Sequence, residues 1–317
     1  MKIVSTAKMG QRHQHALQEK FAHHDFHFYP SLKEAGGVVR DAEILITYGE
    51  DLTPERVMEM TRLHWIQVIS AGLDIMPLPA LGKAGVIVTN ASGIHKIPMA
   101  EYTFAVLLQV AREMNTLYEN QKNKKWDRTL RVEELYGKTM GIIGVGAIGE
   151  EIARRAKVFG MQVLGVSRSG HPKDVCDEMH KQSELLKVLP RCDYVVIAVP
   201  LTEETRGLLG KKELEAMRQD AVLINIARGE VVDEKRLIER LVNKQLKAAV
   251  LDVFSQEPLP ETSPIWELDN CIITPHISGR SPLYMERAME IFHQNLDLYD
   301  KGLKDEMINK IDCRRGY

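Results

Sequence analysis

Short apolar runs alternate with polar, helix-periodic stretches along the whole chain. In the first hundred residues, runs at 44–48, 65–69 and 86–90 are rich in Ile, Val, Thr and aromatic residues. They are too short for buried helices and predict buried strands. Between the first two, Thr53 followed by Pro54 marks a helix start: the threonine caps and the proline takes the first helical position. The alternation strengthens after residue 138, where runs at 139–143, 162–166, 194–199, 221–226, 248–252 and 271–274 predict six more strands. Two longer helices are expected. One runs from 98 to about 120 and is apolar around much of its circumference (Met99, Tyr102, Phe104, Ala105, Leu107, Leu108, Ala111), so it should be buried on more than one side. The other spans 282–301, with Met285, Ala288, Ile291, Phe292, Leu296 and Tyr299 on its inner face. Strands separated by helices imply parallel sheets covered on both faces. The expected fold class is therefore α/β, with two doubly wound parallel-sheet domains, Rossmann-like or flavodoxin-like, and a cleft between them. The basic stretch 120–131 reads as a solvated arm, with Trp126 as a possible anchor on a neighbouring surface.

One turn carries a ligand signature. Gly144-Val145-Gly146-Ala147-Ile148-Gly149 follows the apolar strand at 139–143 and opens a helix. In this G-x-G-x-x-G context the first glycine permits the tight turn and the second lets the backbone approach a pyrophosphate. The third lets helix and strand pack closely, and the helix N-terminus favours the anion. A dinucleotide cofactor is expected here. At the end of the next strand an NAD site would carry an acidic residue for the ribose 2′-hydroxyl. This chain has Ser167, Arg168 and Ser169 instead. A guanidinium flanked by two hydroxyls suits a 2′-phosphate, so NADP(H) is favoured and NAD(H) is the less favoured alternative.

Composition removes other classes. The 317 residues are 44% hydrophobic and 27% charged, an ordinary globular mix. With Lys plus Arg at 42 and Asp plus Glu at 44, no global basic field exists for nucleic acid or an anionic membrane. No apolar run approaches the ~20 residues that span a bilayer, and the first residues show no secretory h-region. The four cysteines, Cys176, Cys192, Cys271 and Cys313, form no metal or disulfide spacing, so reduced thiols and a cytoplasmic location are expected. No metal site is expected; the histidines, including His13, His15, His23, His24, His27 and His64, complete no ligand spacing.

Three further segments follow expected strands and carry ionisable groups. They are Asn225-Ile226-Ala227-Arg228-Gly229-Glu230, Leu251-Asp252-Val253-Phe254-Ser255-Gln256-Glu257-Pro258 and Thr274-Pro275-His276-Ile277-Ser278-Gly279. In an open parallel sheet ligands bind beyond the carboxyl ends of the strands, so all three can face one crevice.

These segments resemble the D-isomer-specific 2-hydroxyacid dehydrogenase family, including glyoxylate/hydroxypyruvate reductases. The resemblance also runs through Ser70-Ala71-Gly72-Leu73-Asp74, Asn90-Ala91-Ser92-Gly93, Met99-Ala100-Glu101-Tyr102, the glycine turn and Pro200-Leu201-Thr202-Glu203-Glu204-Thr205. It implies that Arg228 binds a substrate carboxylate, that His276 is the acid/base, and that Glu257 pairs with His276. It implies backbone N–H contacts to that carboxylate from Ser70, Ala71 and Gly72, and contact of Asp252 with the nicotinamide carboxamide. Val199, Pro200, Thr205, Ile226, Ala227, Ser278 and Gly279 join Gly144, Gly146, Ala147, Ile148, Gly149 and the 167–169 trio as expected cofactor contacts. Residues 1–98 plus 284–317 are then a substrate-binding domain and 99–283 the dinucleotide-binding domain, with hinges near 93–99 and 279–285. The resemblance further implies a homodimer built through the cofactor domain, with 98–136 reaching across the two-fold axis.

The chemistry is consistent with these residue types. A planar guanidinium can grip a 2-oxo acid carboxylate through two parallel hydrogen bonds and polarise the adjacent carbonyl. Reduction makes that oxygen an alkoxide, and an imidazole can protonate it. Glu257 is expected to raise the pKa of His276 and fix its tautomer. The expected activity is thus NADPH-dependent reduction of a 2-oxo acid to a D-2-hydroxy acid. The alternatives are a non-enzymatic NAD(P)-sensing regulator and a formate dehydrogenase-like enzyme; formate enzymes resembling this family carry Gln where Glu257 stands. Tyr48, Leu73, Met76, His95, Ile97, Tyr284 and Met285 are the candidates for selecting the substrate side chain.

Overall fold

The structure, a computed structural model, describes residues 1–73 and 75–313. Asp74 of the Ser70–Asp74 motif, and residues 314–317 of the expected substrate-binding domain, lie outside the described residues. The chain divides into two compact units, Met1–His95 with Ser281–Tyr317, and Lys96–Arg280.

The first unit holds five parallel strands, β1 (Lys2–Ser5), β2 (Asp25–Phe28), β3 (Ile44–Thr47), β4 (Trp65–Val68) and β5 (Ile87–Thr89), in the order β2-β1-β3-β4-β5. β1 and β2 carry no long apolar run, so periodicity did not predict them. β1 has only Ile3 and Val4 between Lys2 and Ser5 and is held by pairing on both sides, whereas β2 is a half-exposed edge. Thr53 caps the helix Pro54–Glu59 by accepting from Arg56 N–H at 3.4 Å.

The last helix, Tyr284–Asp300, packs on this sheet through Ala288, Phe292, Leu296 and Tyr299, with Met285 and Ile291 half-buried. Trp65 is fully buried against it, 5.3 Å from the Phe292 ring and 5.4 Å from Tyr299. Its indole N–H donates to Thr89 Oγ1 at 2.8 Å, which satisfies the one polar atom this burial would otherwise strand.

The second unit holds seven parallel strands: β6 (Thr139–Ile143), β7 (Gln162–Ser167), β8 (Glu178–Lys181), β9 (Tyr194–Ile197), β10 (Val222–Asn225), β11 (Ala248–Leu251) and β12 (Cys271–Ile273). Their order is β12-β11-β10-β9-β6-β7-β8, so the chain reverses its direction of travel between β6 and β9. Six were expected. The seventh, β8, reads Glu-Met-His-Lys and shows no apolar pattern because it is an edge strand, where charged side chains are favoured.

The single helix expected from 98 to about 120 is two, Lys96–Ala111 and Met114–Lys122. Glu113 takes a left-handed φ of 53°, which ends the first, and Glu133 N–H caps the Ala111 carbonyl at 2.7 Å. The first helix buries Met99, Ala100, Thr103, Phe104, Val106, Leu107 and Ala111; the second buries no residue. Trp126 is 91% exposed. The four cysteines are unpaired. Among the described residues no helix is long and apolar enough to cross a membrane.

Candidate functional site

The residues singled out in the second half of the chain all fall beyond the carboxyl ends of the second unit's strands. The glycine turn follows β6 and the 167–169 turn closes β7; the 200–205 loop follows β9; Arg228, Asp252 and His276 follow β10, β11 and β12.

The three glycines of the turn have different reasons to be glycine. Gly144 has φ +102°, and a Cβ there would meet the Ala198 carbonyl at 2.7 Å. A Cβ on Gly149 would lie 2.1 Å from the Gly144 carbonyl oxygen. Neither position tolerates a side chain, for reasons internal to the protein. Gly146 is otherwise: its backbone (φ −92°, ψ −159°) is open to any residue, and a Cβ would meet nothing within 4 Å. The protein does not need that glycine, but a pyrophosphate lying against the helix Ala147–Val158 does. The turn therefore fits a dinucleotide. Gly146→Val is expected to change Tm by no more than a few degrees and to weaken nicotinamide dinucleotide binding at least tenfold in a fluorescence titration; unaltered binding would remove the turn as the pyrophosphate site.

At the end of β7, Ser167 Oγ accepts from Gly170 N–H at 3.1 Å and Ser169 Oγ from His171 N–H at 3.4 Å. Each hydroxyl proton therefore remains to be donated outward. Arg168 Nε lies 3.3 Å from Glu204 Oε2. Sequence reading placed no acid at this position, because Glu204 comes from the loop after β9, a neighbourhood that only the fold creates. Thr205, expected as a cofactor contact, is buried and ties its own loop, donating to Pro200 O at 2.6 Å and accepting from Thr202 N–H at 2.8 Å.

Beyond β10–β12 the structure brings three groups onto adjacent loops. Arg228 is half-buried, with its Nη1 donating to Ala227 O at 2.8 Å and its own carbonyl held by Asn225 Nδ2 at 3.0 Å. A Cβ on Gly229 would lie 1.9 Å from the Phe254 carbonyl carbon, so glycine here lets the arginine turn press against the loop that bears Glu257. Glu257 is held at both oxygens: Oε1 accepts from Phe254 N–H at 3.0 Å and Oε2 lies 2.8 Å from His276 Nδ1. The His276 ring remains half-exposed, so Nε2 can face a reactant.

His276 adopts φ 53°, a left-handed conformation that costs a non-glycine residue of order 1 kcal/mol and needs support. Asp252 supplies it. Its carbonyl accepts from His276 N–H at 2.8 Å, and its carboxylate accepts from Thr274 Oγ1 at 2.6 Å, Ile277 N–H at 2.9 Å and Ser278 N–H at 2.9 Å. Asp252 is wholly buried. The Asp252 carboxylate is thus held by the loop that bears His276. Tyr102 Oη lies 2.7 Å from Thr274 Oγ1. Burial pushes the Tyr102 hydroxyl up to about 12, so it stays protonated and donates. Sequence reading assigned no role to Tyr102 or Thr274; the one available signal was a phenol on an otherwise apolar helix, which needs a partner when buried.

In the first unit, the loop after β4 has its carbonyls committed. Ser70 O accepts from Ala91 N–H at 3.1 Å, Ala71 O from Asn90 Nδ2 at 2.8 Å, and Gly72 O from Ser70 Oγ at 2.9 Å. Among the described residues none accepts from the N–H groups of Ala71 or Gly72. Leu73 and Met76, expected to select the substrate side chain, are instead core residues at 9% and 7% exposure. Tyr284 is tied to Ile69 O at 2.8 Å, and its ring lies 5.4 Å from that of His95.

Comparison with known proteins identifies the family. Residues 104–278 match the family model of the D-isomer specific 2-hydroxyacid dehydrogenase NAD binding domain. A D-3-phosphoglycerate dehydrogenase of Methanocaldococcus jannaschii is 36% identical over 86% of this chain, which spans only 52% of that protein's length. A glyoxylate reductase of Korarchaeum cryptofilum is 33% identical over 86% of this chain and 84% of its own. A D-isomer specific 2-hydroxyacid dehydrogenase from Xanthobacter autotrophicus, solved in complex with NADPH and MES, superposes with a TM-score of 0.85 at 27% identity, covering 100% of this chain and 99% of that one. With a matched cofactor-domain model and relatives of this identity along most of its length, the chain belongs to the D-isomer specific 2-hydroxyacid dehydrogenase family.

Proposed function

We propose that this protein reduces a 2-oxo acid to the corresponding D-2-hydroxy acid, with NADPH as the preferred donor. The observation that carries the reading is the His276–Glu257 pair at 2.8 Å, set beyond the strand ends of a dinucleotide-binding unit. The Gly144–Gly149 turn and Ser167, Arg168 and Ser169 hold the dinucleotide, with Val199, Pro200, Ile226, Ala227 and Gly279 along its path. The bound cofactor supplies the hydride. Arg228 binds the substrate carboxylate, and its charge favours the negative oxygen that develops at the neighbouring carbonyl. His276 donates a proton from Nε2 to that oxygen, while Glu257 on Nδ1 fixes the ring's orientation and tautomer. Oxidation of NADPH with glyoxylate, pyruvate, hydroxypyruvate and branched 2-oxo acids tests the proposal; no turnover with any of them would overturn it.

Preference for NADPH rests on Arg168, and Glu204 acts against it. A 2′-phosphate must compete with that carboxylate for the guanidinium and also tolerate its charge. Arg168→Asp is expected to raise KM for NADPH at least tenfold and leave KM for NADH within about twofold. Glu204→Gln is expected to lower KM for NADPH severalfold, an effect that shrinks at high salt. Equal changes for both cofactors would remove the 2′-phosphate role.

Exposed apolar side chains on the second unit, including Trp126, Tyr136 (78%) and Val158 (87%), favour a homodimer formed through this unit. Light scattering should return twice the 36.0 kDa chain mass; a monomer mass at micromolar concentration would refute it.

A further inference from the structure

A cluster of imidazoles and a carboxylate lies in the first unit, unused by the reaction. His23 and His24 sit in the turn that precedes β2, and Asp300 is the last residue of the helix Tyr284–Asp300. His23 Nε2 lies 2.9 Å from Asp300 Oδ2, and His24 Nε2 lies 3.0 Å from both carboxylate oxygens. The donor atoms of all three residues fall within 4.8 Å of one another. We propose that His23, His24 and Asp300 bind a divalent first-row transition cation, zinc in ordinary media, which ties the turn before β2 to the end of the last helix.

The donor set suits such an ion: two imidazole nitrogens and one carboxylate oxygen, with a fourth position left for water. A tetrahedral ion with bonds of about 2.0–2.1 Å holds its ligands about 3.3 Å apart, so the two histidine–Asp300 separations need to open by only a few tenths of an ångström. The site is built rather than a chance encounter of surface chains. The His24 side chain is only 4% exposed, its ring stacked 6.4 Å from Phe21 and edge-on 6.2 Å from Phe26. Its other nitrogen, Nδ1, lies 3.4 Å from the amino group of Met1, which fixes Nε2 towards Asp300. The His23 ring is 62% exposed and leaves an approach from solvent.

The two imidazole centroids are 4.1 Å apart and share one carboxylate, so double protonation would set like charges side by side. Coordination through Nε2 leaves each ring's proton on Nδ1; at His24 the Met1 amino group must then be neutral and accept it. The charged groups facing the cluster are Asp300, the paired imidazole and the Met1 amino group, with the Lys20–Asp297 pair also bridging to the last helix.

The test uses the untagged, chelator-stripped protein. Zinc is titrated in competition with a chromophoric chelator, and thermal unfolding is followed in parallel. One equivalent per chain is expected to bind, and a hundredfold excess over Kd is expected to raise the first unit's Tm by about 5 °C. His23→Ala and Asp300→Asn should each weaken binding at least tenfold and cut that rise by about half or more. His23 is exposed, so its loss leaves no cavity, and circular dichroism of the variant verifies the fold. His27→Ala, which removes the imidazole 2.9 Å from Asp25, should leave binding unchanged. Absence of saturable one-to-one binding, or binding that survives both substitutions, would overturn the proposal.

Discussion

Replacing His276 with alanine should lower kcat for 2-oxo acid reduction by about 10²–10⁴-fold, the usual loss when a positioned acid is removed. The fold should not pay for it. The ring is half-exposed and bonds to Glu257, so truncation opens no cavity and strands only a carboxylate that is also held by Phe254 N–H. NADPH affinity should stay within a few-fold. His276→Asn provides a second variant: asparagine tolerates φ > 0 and can bond to Glu257, but cannot deliver the proton. Both variants should be equally inactive and both should keep wild-type Tm. Undiminished turnover in either would remove His276 as the proton donor and leave the family membership without its expected chemistry in this chain.

What the sequence disclosed about this site was governed by how locally each feature is encoded. The glycine turn, the strand runs and the segments around Arg228, Glu257 and His276 each occupy a short window with its own pattern, and the parallel α/β architecture follows from their alternation. β1, β2 and β8 were invisible for the opposite reason: four residues with at most two apolar members carry no periodicity, and such strands exist only because neighbours pair with them. The break at Glu113 lay inside a pattern that still looked helical, because the apolar stripe thins gradually while the helix ends abruptly at a left-handed residue. Within the site, residue types were legible but contacts were not. Glu204 reaches Arg168 across 36 residues of sequence, and Tyr102 reaches Thr274 across 172. Asp252 illustrates the same limit: its place beyond a strand end was legible, but its job depends on backbone N–H groups 25 and 26 residues further on.

That job makes Asp252 the position where fold and catalysis can be separated by one substitution. Asp252→Asn is expected to lower the Tm of the second unit by about 5–10 °C and kcat by about 10–100-fold. Tyr102, protonated throughout the working pH range, donates to Thr274 Oγ1; Thr274 in turn donates to Asp252 Oδ1, which also receives Ile277 N–H, while Oδ2 receives Ser278 N–H. Every group facing the carboxylate is a donor. An asparagine presents one acceptor oxygen and one amide, so at least one backbone N–H must meet another donor in a site without solvent, at a cost of about 1–3 kcal/mol for each group left unsatisfied. The loop that keeps His276 at φ 53° then loses one of its restraints, and the imidazole spends less time aligned with the reacting oxygen. The paired outcome is diagnostic. His276→Ala should lose rate without stability, whereas Asp252→Asn should lose both, and restoring only Tm with a stabilising ligand should not restore kcat. If Asp252→Asn kept wild-type kcat despite a lowered Tm, Asp252 would be a structural residue alone, and the precision of His276 would have to come from Glu257.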